Sequence, residues 1–492
     1  MAGAARILAA WLTPVMGLAT TALMVSGGPD GLWVALVVAV APLIAVEIAA
    51  RRPPDAAGAA GLPLHGAILV LVVGLLVWSN VALAADIAAA FRAPRWHGVV
   101  IVAGAGLVLA VWRSADRLRP ALLVAALIGV SLPLLVLVRM SGVGPVRAWE
   151  LLASRPAFQF SRDSPWVTEG RELSAGPRRT AVVFEEEHRL TAPSGGALRV
   201  LTRDGGRATE REWRLEAGQS VTLRPGDRLE AGLDTRIRFE AGRRVPGAPA
   251  SGVAWAEGRA PGWRERLGLG LTLIGGAIAL FARAGPGPSS RRVVALSGAG
   301  LVAGLLLAQG WAVYGALQAP ELFLGGVTAA HLTELPTLAV GSVSGGANLQ
   351  GVLLMGLLAG FLASTIALRE YPGAPDPGVQ GEIARDLGLW ALVFGGAAVA
   401  SLRAVDPWVV TLWAMGAAAS SVAPAVLLAG ARPGLGTAAG LLGFGGFALL
   451  SALGRLYGPL RGTLGVALDY PALVAGPASL ALLWVAKRVA PD

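Results

Sequence analysis

Runs of about 20 apolar residues, the length of helix that crosses a hydrocarbon core of about 30 Å, recur twelve times along this chain. Five fall near 6–27, 31–50, 64–86, 97–113 and 119–139, and seven more near 263–283, 292–316, 347–368, 384–403, 406–430, 434–455 and 466–487. Few soluble folds could bury so much hydrocarbon. The chain is 54% hydrophobic and 15% charged, with a mean hydropathy of +0.62, whereas soluble proteins carry about a quarter charged residues. The expectation is an α-helical polytopic membrane protein of about 12 transmembrane helices. The first run is too long for a signal peptide and no small-residue cleavage site follows it, so it counts as a helix.

The net charge of +10 is almost all arginine, with Lys487 the only lysine. With the N-terminus inside, the inner short segments hold Arg6, Arg51, Arg52, Arg113, Arg117, Arg119, Arg283, Arg291, Arg292, Arg369, Arg385, Arg432, Lys487 and Arg488. The outer short loops hold only Arg92, Arg95, Arg403, Arg455 and Arg461. Because retained positive charge sets orientation, both termini are expected in the cytoplasm of a cytoplasmic (inner) membrane protein. Arginine spread over short loops is not a nucleic-acid surface. The absence of cysteine excludes disulfides, thiolate nucleophiles and Cys-ligated metals, and His65, His97, His188 and His331 are too scattered for a metal site.

Between the fifth and sixth runs the pattern switches to strand alternation, in "TAVVFE", "ALRVLTR", "EWRLE", "QSVTLRPGD" and "TRIRFEAG". Residues 140–262 therefore read as a small all-β sandwich or barrel inserted on the extracytoplasmic side. It has no His or Glu cluster for a metal, and its role is expected to be contact or capping, with a protein partner. "FEEEHRL" (Phe184 to Leu190) reads as a solvated strand edge.

An acid, a base or a helix break inside the bilayer is the usual mark of function. Glu47, Asp86, Asp406 and Asp469 all fall at predicted span ends, where a carboxylate reaches water. Breakers and hydroxyls remain: "WLTPVMGLATT" in the first span, "LTLIGGAIAL" in the sixth and "GFLASTIAL" in the eighth. Pro14 and the Gly275-Gly276 pair either free backbone groups to hold a guest near the midplane or simply let helices kink and pack closely. Their positions correspond if residues 1–139 and 263–430 are five-helix halves of opposite orientation, with 431–492 adding two helices.

The stretch Ala414 to Gly445, "AMGAAASSVAPAVLLAGARPGLGTAAGLLGFG", resembles the tenth and eleventh core helices of sodium/solute symporters, above all the cation/acetate branch. "TALMVSGGPDGLWVALVVAVAPLIAVEIAARR" resembles that family's junction of first and second core helices, and "RAWELLAS", "AAHLTEL" and "DYPALVAGPASLALLW" fall where the branch has similar sequences. The resemblance implies a leucine-transporter-like 5+5 inverted repeat. It implicates Thr13, Pro14, Val15, Met16 and Gly17 in an unwound first helix and Gly275 and Gly276 in an unwound sixth. Ser364 and Thr365, with Met16, become a candidate sodium site, and Ser79 and Asn80 line the same cavity. Two departures from the family remove oxygen ligands: Ala10 stands at the acidic position of the first helix, and "STIALREYPG" replaces a longer hydroxyl-rich and acidic ending.

The resulting expectation is a secondary active transporter of a small organic solute such as a carboxylate, with sodium as the candidate coupling ion and no other cofactor. The alternative is a transport-inactive symporter-like scaffold or sensor that presents the β domain to a partner. An enzyme is not expected, since no acid, base or metal cluster sits in the bilayer.

Overall fold

The computed structural model describes the chain except for residues 1, 51–62, 91–92, 161–163, 169–173, 176–179, 182–183, 194, 205–206, 232–234, 259–262, 282–290, 324–345, 370–379, 403–405, 428–432, 457–464, 466 and 490–492. "AAHLTEL" and His331 lie outside the described residues. The first apolar run forms two helices, α1 (Ala2–Trp11) and α2 (Pro14–Gly27), bent by 57° at the break. Pro14 dictates this. It has no N–H to return to Ala10, and it forces Thr13 out of helical geometry, to φ −64° and ψ 156°. Thr13 then caps the new helix, its Oγ accepting the Met16 N–H at 3.2 Å. The Trp11 indole donates to the Val38 carbonyl at 2.6 Å and pins the end of α1 to the next helix.

That helix is α3 (Gly31–Ala50), followed by α4 (Pro63–Ala90), α5 (Arg95–Val111) and α6 (Arg119–Ser141). After the insert come α9 (Trp263–Phe281), α10 (Arg291–Gln318), α11 (Gly346–Leu368), α12 (Gln380–Ser401), α13 (Pro407–Leu427), α14 (Pro433–Leu456) and α15 (Ala472–Val489). Among the described residues seven helices are long and apolar enough to cross a membrane, eight when the bent pair counts as one span. This is the make-up of a helical membrane protein. Helices stand at all twelve expected places, but α5, α12 and α15 carry shorter apolar stretches, and α9 begins with Arg264, Glu265 and Arg266.

Packing is densest along the pairs α6 with α11, α9 with α13, α4 with α13 and α9 with α3. Where α6 crosses α11, Gly129 meets Gly356 so closely that a Cβ on Gly129 would lie 2.3 Å from the Gly356 Cα. Small residues let backbones approach where water cannot drive helices together.

The insert opens with α7 (Pro145–Ala153) and closes with α8 (Gly252–Glu257). Between them, β1 (Ser164–Thr168), β4 (His188–Ala192), β7 (Gln219–Leu223) and β9 (Thr235–Phe239) form a four-stranded antiparallel sheet in the order β1-β9-β4-β7. β5 (Gly196–Asp204), β6 (Arg207–Leu215) and β8 (Arg228–Ala231) form a second sheet, ordered β6-β5-β8, and β2 (Ser174–Ala175) pairs with β3 (Thr180–Ala181). Leu190, Leu223, Ile237 and Phe239 from the first sheet and Leu198, Val200 and Leu229 from the second belong to one buried cluster. The edge strand β6 carries Arg211, Glu212 and Arg214 exposed, which discourages pairing with another chain.

Two readings change here. "FEEEHRL" is only half a solvated edge: Glu185 is exposed and ion-paired to Arg244, but His188 is buried between Phe184 and Phe239. In β4 the alternate residues His188, Leu190 and Ala192 point inward, so the strand period carries the imidazole into the core. Burial pulls its pKa below the usual histidine value, against a raising effect of Glu186 and with a smaller lowering effect of Arg243. Asp86, expected to reach water, has a side chain 2% exposed and pairs with Arg95 at 2.7 Å.

Candidate functional site at the break in the first span

The break stands against α11. A Cβ on Gly360 would lie 3.1 Å from Pro14 Cγ, so the proline ring occupies the space that glycine leaves. One helical turn further along the same face of α11 is Ser364. Its Oγ accepts a hydrogen bond from Asn80 Nδ2 of α4 at 3.3 Å. Residues four apart on one helix face lie about 6 Å from each other, which brings the break, the hydroxyl and the amide into one neighbourhood.

Asn80 is 2% exposed and Ser364 fully buried. Among the described residues the Asn80 Oδ1 has no hydrogen-bond partner. A buried amide oxygen left this way costs about 1–3 kcal/mol unless something else satisfies it. Neighbouring hydroxyls are occupied by their own helices: Ser79 donates to Leu76 O, Thr365 to Phe361 O, Thr20 to Met16 O and Thr21 to Gly17 O. Of the hydroxyls expected to face a cation, Ser364 is therefore turned toward a neighbour, while Thr365 is turned back on its own backbone.

Val15 and Met16 are buried, and their side chains pack into the core. What they offer a guest is backbone. A side chain on Gly17 would meet nothing within 4 Å, so there is room beside the first turn of α2. The ends of α1 and α2 at the break present opposite partial charges, negative from α1 and positive from α2. Thr13, Pro14, Asn80 and Ser364 supply a hydroxyl pair, an amide and two helix ends, with no carboxylate, imidazole or guanidinium among them.

Gly275 and Gly276 do not belong to this group. Helix α9 runs unbroken through both, and the expected unwinding of the sixth span is absent. A Cβ on Gly275 would lie 2.5 Å from Ala419 Cβ, and one on Gly276 2.6 Å from Met415 Sδ. The two glycines let α13 lie against α9. Without a proline, nothing removes a hydrogen bond from α9.

Two arginine clusters lay hidden among the loop charges. Arg369, at the end of α11, donates to the Trp112 carbonyl at 2.7 Å and the Leu109 carbonyl at 3.2 Å, and pairs with Asp116 at 2.7 Å. It thereby caps the C-terminal end of α5. Arg95 pairs with Asp86 at the end of α4 and reaches the Ser401 carbonyl at the end of α12, at 3.4 Å. In each, a guanidinium meets the negative end of a helix while an aspartate offsets its charge. Their signal in the sequence was an Arg and an Asp near span ends, which topology counting absorbs without assigning partners.

Among the described residues no group of three or more His, Asp or Glu is placed to hold a metal ion. Comparison with known protein families gives no matching family model, and comparison with curated proteins gives no match either.

Proposed function

We propose that this chain is a secondary active transporter that holds a small organic solute, of the carboxylate class, at the break between α1 and α2. The observation that carries the reading is the Thr13-Pro14 break set against Gly360, one helical turn from Ser364, which is bonded to a buried Asn80 whose oxygen has no partner among the described residues. In a membrane interior a broken helix and a buried amide oxygen with no partner among the described residues are costly, and transport is a use that repays them. The positive end of α2 suits a carboxylate, and Asn80 Oδ1 with Ser364 Oγ suits a hard cation such as sodium.

The packing supports two halves of opposite orientation. α6 lies along α11 as α4 lies along α13, α3 against α9 as α10 lies against α1 and α2, and α5 against α11 as α12 lies against α4. Each relation turns into its mirror when the first five helices are exchanged for the second five. On this reading twelve helices cross the cytoplasmic membrane, both termini are cytoplasmic and the insert is outside, and the likeness to sodium/solute symporters is one of architecture.

A second reading is favoured by the continuous α9: a symporter-like scaffold or sensor, no longer transporting, that presents the β domain to a protein partner. Proteoliposome uptake separates the two. Under a sodium gradient, acetate, pyruvate and proline are offered to the wild-type protein and to Asn80→Leu. Transport predicts uptake of at least one solute, reduced about tenfold or more in the variant, as losing a 1.4 kcal/mol interaction would produce. No uptake of any of the three by a folded wild-type protein favours the scaffold, whereas full uptake by the variant keeps transport and removes Asn80 from the site.

A further inference from the structure

The insert is fastened to one half of the broken span. In α8 the buried Trp255 donates its indole N–H to the Val25 carbonyl at the far end of α2, at 2.8 Å. Its backbone carbonyl presses on Gly28, where a Cβ would lie 2.3 Å away and where φ is +53°, a conformation that glycine adopts at little cost. Just beyond, Asp30 accepts from Arg266 of α9 at 3.3 Å and lies against Gly258, the residue that ends α8. Trp149 of α7 packs on Trp255 with ring centroids 4.7 Å apart.

The segments flanking α7 are tied both to the β sheets and to α10. Arg155 donates to the Leu317 carbonyl at 2.6 Å, and the Tyr314 hydroxyl to the Val143 carbonyl at 2.7 Å. Phe158 packs on Phe323 just after α10, and Phe160 stacks on Phe239 in β9. The Gly252 N–H of α8 donates to the Arg155 carbonyl at 2.7 Å, so that contacts and the short chain from Arg155 to Phe160 together join the sheet core to the end of α2. The end of α1 is held elsewhere, by Trp11 on Val38 of α3.

We propose that the β insert is a handle on α2, and that Trp255 is the positioning residue that sets the angle of the break through it. From Val25 to Thr13 the helix reaches about 18 Å at 1.5 Å per residue, a rigid lever joining the insert to the candidate site. A protein or ligand seated on the insert acts on the break by moving this lever, while α1 stays with α3. The inference goes beyond transport, since it concerns what holds the break and applies equally to a carrier or to a sensor.

Hydrogen exchange of the full chain in nanodiscs, read by mass spectrometry, tests it without any solute. Trp255→Phe keeps the ring stack and deletes the donor. It is expected to speed exchange of the Met16 and Gly17 amides by about fivefold to tenfold, as a partly released element opens more often, and to leave Ala414 to Ser421 of α13 unchanged. Gly28→Ala, whose methyl would push the Trp255 carbonyl off the end of α2, is expected to give a smaller rise of about twofold to threefold in the same amides. It decides the matter by the same criterion should Trp255→Phe fail to fold. Faster exchange confined to α8 and residues 25–30, with the break unmoved, would overturn the proposal. Because the readout is the break itself, a chain that carries no solute yet shows the coupled exchange loses only the transport reading.

Discussion

Pro14 and Gly275-Gly276 look alike in the sequence, as breakers inside apolar runs, and part company in space. Proline acts by itself: it lacks a donor and restricts the residue before it, so its effect on α1 and α2 was legible. A glycine pair removes only two side chains, and whether the gap becomes a kink or a contact depends on what arrives from another helix. Here Met415 and Ala419 arrive. His188 shows the same limit, because its acidic neighbours in "FEEEHRL" disguised a core position. Its lowered pKa has a sign that can be followed. The unfolded insert takes up a proton at about pH 6.5, before the buried imidazole does, so stability is full above that pH and declines as pH falls below it. The slope is at most about 1.4 kcal/mol per pH unit. Hydrogen exchange in β4 and β9 at pH 7.5 and 5.5 should show the insert less protected at the lower pH, and His188→Leu should remove most of the difference.

At the scale of helices, the apolar runs were readable because length and hydropathy alone set them, whereas partners depend on where small residues meet. The crossing of α6 and α11 rests on Gly129 and Gly356. A side chain on Gly356 would put its Cβ 2.6 Å from the Gly129 Cα, against backbone that cannot rotate away. Gly356→Leu is therefore expected to destabilise the protein by about 3 kcal/mol or more, since overpacking a close contact costs about 1–3 kcal/mol even where side chains can yield. Gly395→Leu in α12 makes the comparison, because a Cβ there meets nothing within 4 Å. Unfolding in detergent followed by circular dichroism should rank the two clearly. The arginine clamps were illegible for a different reason. Arg369 and Arg95 served as well for counting loop charge as any others, and only the arrival of the helix ends at Trp112 and Ser401 gives them separate tasks.

Across the whole molecule, a break, an amide and a hydroxyl from three helices converge, and a β insert holds one side of that break. The polar insert was visible from its change of period, but its attachment was not, because Trp255 and Val25 lie 230 residues apart. A transporter that holds its solute beside Ser364 exposes that residue to each face of the membrane in turn, and the chain contains no cysteine to confuse a direct test of this. A Ser364→Cys protein in sealed proteoliposomes can be challenged with a charged, membrane-impermeant thiol reagent added to one face or the other. The account predicts labelling from both faces, each slowed by a transported solute. A thiol that stays unreactive, or that reacts from one face only, would contradict it.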